Sequence, residues 1–110
     1  MQEFSDLGDL EELTTFVVVA EAGSFTAAAR ALGRDASVLS RRVSQLERRL
    51  GVRLLSRTTR RVALTEVGAL YGRRVQAVLD ELASAGREAS DYAATPQGLL
   101  RVSLPLSFGR

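Results

Sequence analysis

The chain has no cysteine, histidine, tryptophan or lysine among its 110 residues, and only two prolines. Without Cys and His there can be no disulfide, no zinc finger, no cysteine nucleophile and no imidazole acid–base chemistry. The lack of Cys also fits a reducing cytosol. No stretch approaches the roughly 18 consecutive apolar residues of a membrane span. The N-terminus, MQEFSDLGDLEEL, is acidic and lacks the basic start and apolar core of a secretory signal. These absences predict a soluble cytoplasmic protein with no membrane partner, no metal and no cofactor. The length allows one small domain and an appendage. A domain made of the first 64 or so residues would bury only about 60% of its unfolded surface, so a second copy would help to stabilise it.

What is present is sorted along the chain. Residues 1–29 carry six acidic residues and no basic one, whereas residues 30–61 carry ten Arg against Asp35 and Glu47, a local net of +8. The remainder balances, so the overall +2 conceals a basic block. Such a block is the electrostatic footprint of a nucleic-acid binder. All fifteen basic residues are Arg; this suits phosphate and guanine but equally fits a GC-rich genome.

The basic block coincides with two helical patterns separated by a tight turn, GSFTAAARALGRDASVLSRRVSQLE, Gly23 to Glu47. A helix advances about 100° per residue. Leu39, Val43, Leu46 and Leu50 therefore share one line, while Ser37, Arg41, Ser44 and Arg48 lie opposite and Ser40 and Gln45 flank them. Ser hydroxyls can bond base edges or phosphates, and Arg can grip the O6 and N7 of guanine in a major groove. Taken alone, an ordinary amphipathic helix with a solvated Arg face fits this pattern equally well. The flanking segments favour a DNA reader. A first helix is predicted over about Leu10–Ala22, capped by Asp9 with Glu12, ended by Gly23, and burying Leu10, Leu13, Phe16, Val17 and Ala20. Ser24 caps a second helix with Phe25, Ala28, Ala29 and Leu32 at helical spacing, which Gly33 ends. The turn Gly33, Arg34, Asp35 leads into the third helix, which stops at Gly51.

Residues 52–64, VRLLSRTTRRVAL, read as a β-hairpin too short to stand alone. Placed directly after a reading helix it is a wing, with Arg57, Arg60 and Arg61 near its tip for phosphates or a narrow minor groove; the alternative is a surface hairpin made soluble by Arg. Thr65 caps a long fourth helix in which Val67, Leu70, Tyr71, Val75, Val78, Leu79 and Leu82 repeat at three and four. Over 66–92 it would span roughly 40 Å, more than the small domain needs. Its stripe is expected to pack on a second copy, the alternative being a helix folded back on its own domain. Residues 93–98 form a linker broken by Pro96 and Gly98. The segment LLRVSLPLSF that follows reads as a strand, and since a lone strand cannot bury its edges, a longer protein is expected to continue it. The fold class expected is mainly α: a winged helix-turn-helix (three helices plus a β-hairpin wing) over 1–64, then a long dimerisation helix over 65–93.

In this order, the segments FVVVAEAGSFTAAARALG, SVLSRRVSQLERRLGVRLLSRTTRRVALTEVG and GLLRVSLPLSFGR resemble the LysR-type transcriptional regulators. The resemblance runs from about Leu10 to Arg110, and the last segment looks like one large branch of the family. It implies a DNA-binding domain that dimerises through the linker helix on an inverted-repeat promoter site. It further implies that 94–110 are the hinge and first strand of an effector-binding domain of periplasmic-binding-protein type, which would sense a small molecule and drive tetramer formation. Carried over by position, base and phosphate contacts fall on Ala36, Ser37, Ser40 and Arg41, on Arg34 or Arg42 at the helix edges, and on Arg60. Ser24, Thr26 and Arg34 suit the DNA backbone, and Arg57 joins the wing contacts. Many family members have Gln or Pro where this chain has Ala36; Ala cannot bond an adenine edge, although it can touch a thymine methyl.

Two other classes of function bear on the same residues. A dimeric protein-interaction adaptor on a winged-helix scaffold would keep function on charge reversal at Arg41 but lose it on disruption of Leu79. An enzyme is disfavoured, because a nucleophile such as Ser40 has no His, Cys, metal cluster or glycine-rich phosphate loop beside it.

Overall fold

The structure, a computed structural model, describes residues 9–58 and 61–94. The predicted hinge and strand over 94–110 lie outside the described residues except for Ala94. Four helices and a hairpin follow in order: α1 (Leu10–Ala22), α2 (Phe25–Leu32), α3 (Ala36–Leu50), β1 (Leu55–Arg57), β2 (Val62–Leu64) and α4 (Glu66–Ala94). The expected winged helix-turn-helix class is therefore the fold found. Two compact units divide the chain, Met1–Ala77 and Val78–Arg110.

Local chemistry sets the boundaries in the first unit. Asp9 accepts the Glu12 N–H at 2.8 Å and Ser24 accepts the Ala27 N–H at 3.0 Å, each satisfying a donor that the helix start leaves open. Gly23 and Gly51 end α1 and α3 in the left-handed region, with φ of 77° at both, where a Cβ would be strained. Asp35 precedes α3 in extended conformation, but its carboxylate makes no cap bond. Thr65 caps α4 by accepting the Gly68 N–H at 2.9 Å, while its own hydroxyl donates to the Arg53 carbonyl at 2.7 Å. A Cβ at Gly68 would overlap the Leu54 carbonyl oxygen, so only glycine lets α4 start this close to the chain entering the wing.

Helices α1, α2 and α3 pack on one another around Phe16, Val19, Ala28, Leu39, Val43 and Leu46, all fully buried, with Leu54 and Leu55 closing the core from the wing side. The predicted α3 stripe is thus the packed face, with Leu50 only partly buried. On α1 the expectation needs correcting. Its fully packed line is Glu12, Thr15, Phe16 and Val19, while Leu13, Val17 and Ala20 are partly buried and Leu10 is 55% exposed. The run FVVVA is apolar all round, so periodicity does not choose its inner face; packing against α2 and α3 does. In the wing, Leu55, Ser56 and Arg57 pair antiparallel with Leu64, Ala63 and Val62. The Val62 N–H donates to the Gly23 carbonyl at 3.1 Å, tying β2 to the α1–α2 junction.

The predicted stripe of α4 divides. Val75 is only 6% exposed, and Tyr71 is half-buried with its ring 6.0 Å from that of Phe16, so both serve the domain's own core. Val75 has little surface left for a partner, which corrects its assignment to a dimer face, whereas Tyr71 keeps part of its surface. Within the first unit Val67 and Leu70 are exposed, and within the second Val78 and Leu82 are exposed and Leu79 is half-exposed. No helix among the described residues is long and apolar enough to cross a membrane.

Candidate nucleic-acid interface

Helix α3 presents its polar face along the line that its sequence spacing requires. Ser37, Arg41 and Arg48 are exposed, Ala36, Ser40 and Ser44 are half-buried, and the opposite face is sealed into the core. Arg41 makes no ion pair or side-chain hydrogen bond with any described residue. Thr26, Arg30, Arg34, Ala36 and Val38 border an open depression between α2 and α3, with Thr26, Arg30 and Arg34 exposed. Ser24 is half-buried and engaged as the α2 cap. Ser37, Arg41, Thr26 and Arg34 are thus on open surface around the start of α3.

Two predicted DNA contacts are committed elsewhere. Arg42, with its side chain 18% exposed, pairs with Glu11 at 3.2 Å and donates to the Thr15 hydroxyl at 3.4 Å. It staples α3 to α1, because residue 42 follows Arg41 by 100° and so turns toward the acidic start of α1. Arg57 does not reach out from the wing. Its guanidinium lies over the Phe25 ring, 4.9 Å from the centroid, donates from Nη1 to Ser40 Oγ at 3.3 Å, and sets Nη2 3.8 Å from Glu47 Oε1. Arg57 ends β1 opposite Val62, next to the turn, yet its side chain folds back to meet Phe25 of α2 and Ser40 and Glu47 of α3. Arg60 lies outside the described residues.

The group that sequence reasoning missed is Glu47. It is 7% exposed, and its Oε2 accepts the buried N–H groups of Leu54 and Leu55 at 2.8 and 3.0 Å. A carboxylate on α3 thereby fixes the chain entering the wing and faces the wing's Arg57. The signal was available: Glu47 stands four and eight residues after Val43 and Leu39, on the packed line, and is the sole acid in a run of Arg. Glu12, also buried, takes Arg49 of α3 at 2.8 Å. Among the described residues no group of three His, Cys, Asp or Glu could hold a metal ion.

The model of the family "Bacterial regulatory helix-turn-helix protein, lysR family" matches residues 10–69, all of α1 to β2 and the start of α4. The chain belongs to the LysR family. Homologues of this LysR chain are transcriptional regulators. It is 53% identical over 92 residues to the HTH-type transcriptional regulator CrgA of Neisseria meningitidis serogroup C, covering 84% of the chain and 31% of that protein. To PtxR of Pseudomonas aeruginosa it is 46% identical over 100 residues, covering 91% of the chain and 32% of that regulator. The LysR chain thus spans about a third of the length of these relatives. Among solved structures, the BenM DNA-binding domain in complex with catB site 1 DNA superposes with a TM-score of 0.74 at 32% identity, covering 78% of this chain and 92% of that one. The CrgA structure superposes with a TM-score of 0.68 at 50% identity, covering 81% of this chain and 30% of that one.

Proposed function

We propose that this LysR-family chain is the sequence-specific DNA-reading head of a cytoplasmic transcription regulator, acting as a homodimer on an inverted-repeat promoter site. The observation that carries the proposal is the uncommitted face of α3: Ser37 and Arg41 are exposed, and Arg41 has no partner among the described residues. A side chain tied down by an internal ion pair would have to break it before reaching a base; Arg41 does not. Ser37, Ser40 and Arg41 read the major groove, with Ala36 against a thymine methyl. Ser24, Thr26 and Arg34 take phosphates, and Arg60, outside the described residues, is assigned the minor groove or its phosphates. The solved BenM domain is named as a DNA complex, which supports transfer of this geometry to a 32% identical chain.

Dimerisation is assigned to the exposed part of the α4 stripe, Val67, Leu70, Val78 and Leu82, with Leu79 at its edge. Two heads related by a two-fold axis would meet half-sites separated by multiples of roughly 34 Å, so the site is a pseudo-palindrome. In the whole protein, a small-molecule effector domain following α4 and a tetramer complete the proposal. None of this chemistry uses a cofactor, and the chain is no enzyme. The test is fluorescence anisotropy of the chain on labelled promoter DNA from beside its own gene, against scrambled DNA over a salt series. Preference for the promoter at equal salt, with a log–log slope of about −5 to −9, is expected for a dimer contacting several phosphates per head. Equal binding to both duplexes at every salt concentration refutes sequence-specific reading.

A further inference from the structure

The bracket around Arg57 bears on how Ser40 reads DNA. A hydroxyl has one donor and two acceptor sites, whereas a guanidinium has donors only. Arg57 Nη1, at 3.3 Å, therefore takes one acceptor site of Ser40 Oγ, and the Ser40 proton must point away from it. Ser40 makes no other hydrogen bond with a described residue, so that proton has no internal acceptor. Ser40 is half-buried and flanks the line of Ser37 and Arg41, about 60° from Ser37 around the helix. The cation cannot easily leave: Phe25 lies beneath it, Glu47 Oε1 stands 3.8 Å from Nη2, and its Nε and Nη2 atoms are buried. Glu47 is itself anchored by two wing N–H groups.

We propose that Arg57 is a positioning residue that occupies one acceptor site of Ser40 and sets a positive field behind it, and so favours bases to which Ser40 can donate over a base that can only donate to it. This rests on α3 entering the major groove as proposed above. There guanine offers O6 and N7, adenine N7 and thymine O4 as acceptors, while the only polar group of cytosine is its N4 amino donor. Cytosine at the strand position under Ser40 is selected against, because its amino donor approaches an oxygen that already accepts from a cation. Without Arg57, Ser40 would accept from cytosine with no cation behind it.

The experiment selects binding sites for the unmutated chain, Ser40→Ala and Arg57→Gln from duplexes randomised in one half-site, then measures single-base variants by anisotropy, with melting curves to verify folding. Ser40→Ala identifies the position that Ser40 reads. There the unmutated chain is expected to bind cytosine about 3- to 10-fold more weakly than the preferred base, the worth of roughly one hydrogen bond. Arg57→Gln is expected to bring that ratio to within about 2-fold while leaving the preferences that Ser37 and Arg41 set. If Arg57→Gln does not fold, 7-deazaguanine at that position decides with the unmutated chain: loss of affinity relative to guanine, absent in Ser40→Ala, supports a donating Ser40. No loss leaves O6 as the acceptor, and the cytosine ratio then decides: a preference for cytosine overturns it. An Arg57→Gln effect that is uniform over all sequences and lowers the salt slope by about one also overturns it, since that marks a phosphate contact. Absence of any sequence preference in the unmutated chain defeats the DNA-reading proposal itself, and this one with it, whereas a preference unchanged by Arg57→Gln defeats this one alone.

Discussion

Replacing Glu47 by Ala tests whether a single carboxylate holds the wing to α3. The substitution strands two buried N–H groups, Leu54 and Leu55, that lie 2.8 and 3.0 Å from Oε2, and removes the anion facing Arg57. A stranded buried donor costs about 1 to 3 kcal/mol, and removal of one member of a buried charged pair about 3 to 5 kcal/mol. The Arg57 side chain is 27% exposed, and the N–H groups can recover some hydration once the wing loosens, so a total of about 3 to 4 kcal/mol is expected. For a domain of this size 1 kcal/mol moves Tm by about 4 to 8 °C, so Glu47→Ala should melt at least about 12 °C below the parent. Glu47→Gln keeps an acceptor oxygen for the wing but loses the charge, and should fall by only about 1 to 2 kcal/mol. Circular dichroism at 222 nm, in thermal and urea series at one fixed chain concentration, reads both values without confounding by association. An alanine variant within about 0.5 kcal/mol of the parent, the range of an inconsequential surface change, would refute the argument.

Arg42→Ala should weaken promoter binding less than about 3-fold, because Arg42 is held by Glu11 and Thr15, while Arg41→Ala should erase sequence preference, a loss worth about 1 to 3 kcal/mol; anisotropy on one duplex separates the two, and equal effects would mean that Arg42 leaves its ion pair to bind DNA. Gly68→Ala should destabilise by about 1 to 3 kcal/mol despite the better helix propensity of alanine, since its Cβ would overlap the Leu54 carbonyl oxygen; an unchanged or raised melting temperature would contradict this. The Tyr71 phenol is pushed above its ordinary value near 10, first by burial and then by the Glu12 carboxylate. The unfolded chain therefore releases that proton first, and stability should fall as pH rises above about 10. Urea midpoints between pH 9 and 11 should show this decline in the parent and less of it in Tyr71→Phe, and identical declines would exclude Tyr71 as the cause.

The sequence by itself determined the elements and the chemistry of the open surface. Capping residues and left-handed glycines act within a few residues, so Asp9, Gly23, Ser24 and Gly51 place helix ends without knowledge of the rest of the fold. The α3 stripe was legible for a related reason: Leu39, Val43 and Leu46 alternate cleanly with Ser and Arg, so one helical angle separates inside from outside. Where that contrast disappears, the sequence is silent. Nothing in FVVVA ranks Val19 above Val17, and only the positions of α2 and α3 do so. The same limit applies to the charges. Arg41, Arg42 and Arg57 are chemically alike, yet among the described residues one has no partner, one is paired with Glu11 and one is held between Phe25, Ser40 and Glu47. Arg57 lies over Phe25, 32 positions earlier, and Arg42 pairs with Glu11, 31 positions earlier. Pairing over such separations is a product of how the helices and wing pack, and so is the division of α4 into Val75 and Tyr71, which fill the core, and Leu70 and Val78, which remain exposed. Composition shows that this surface is cationic; tertiary contacts decide which cations are left to meet DNA.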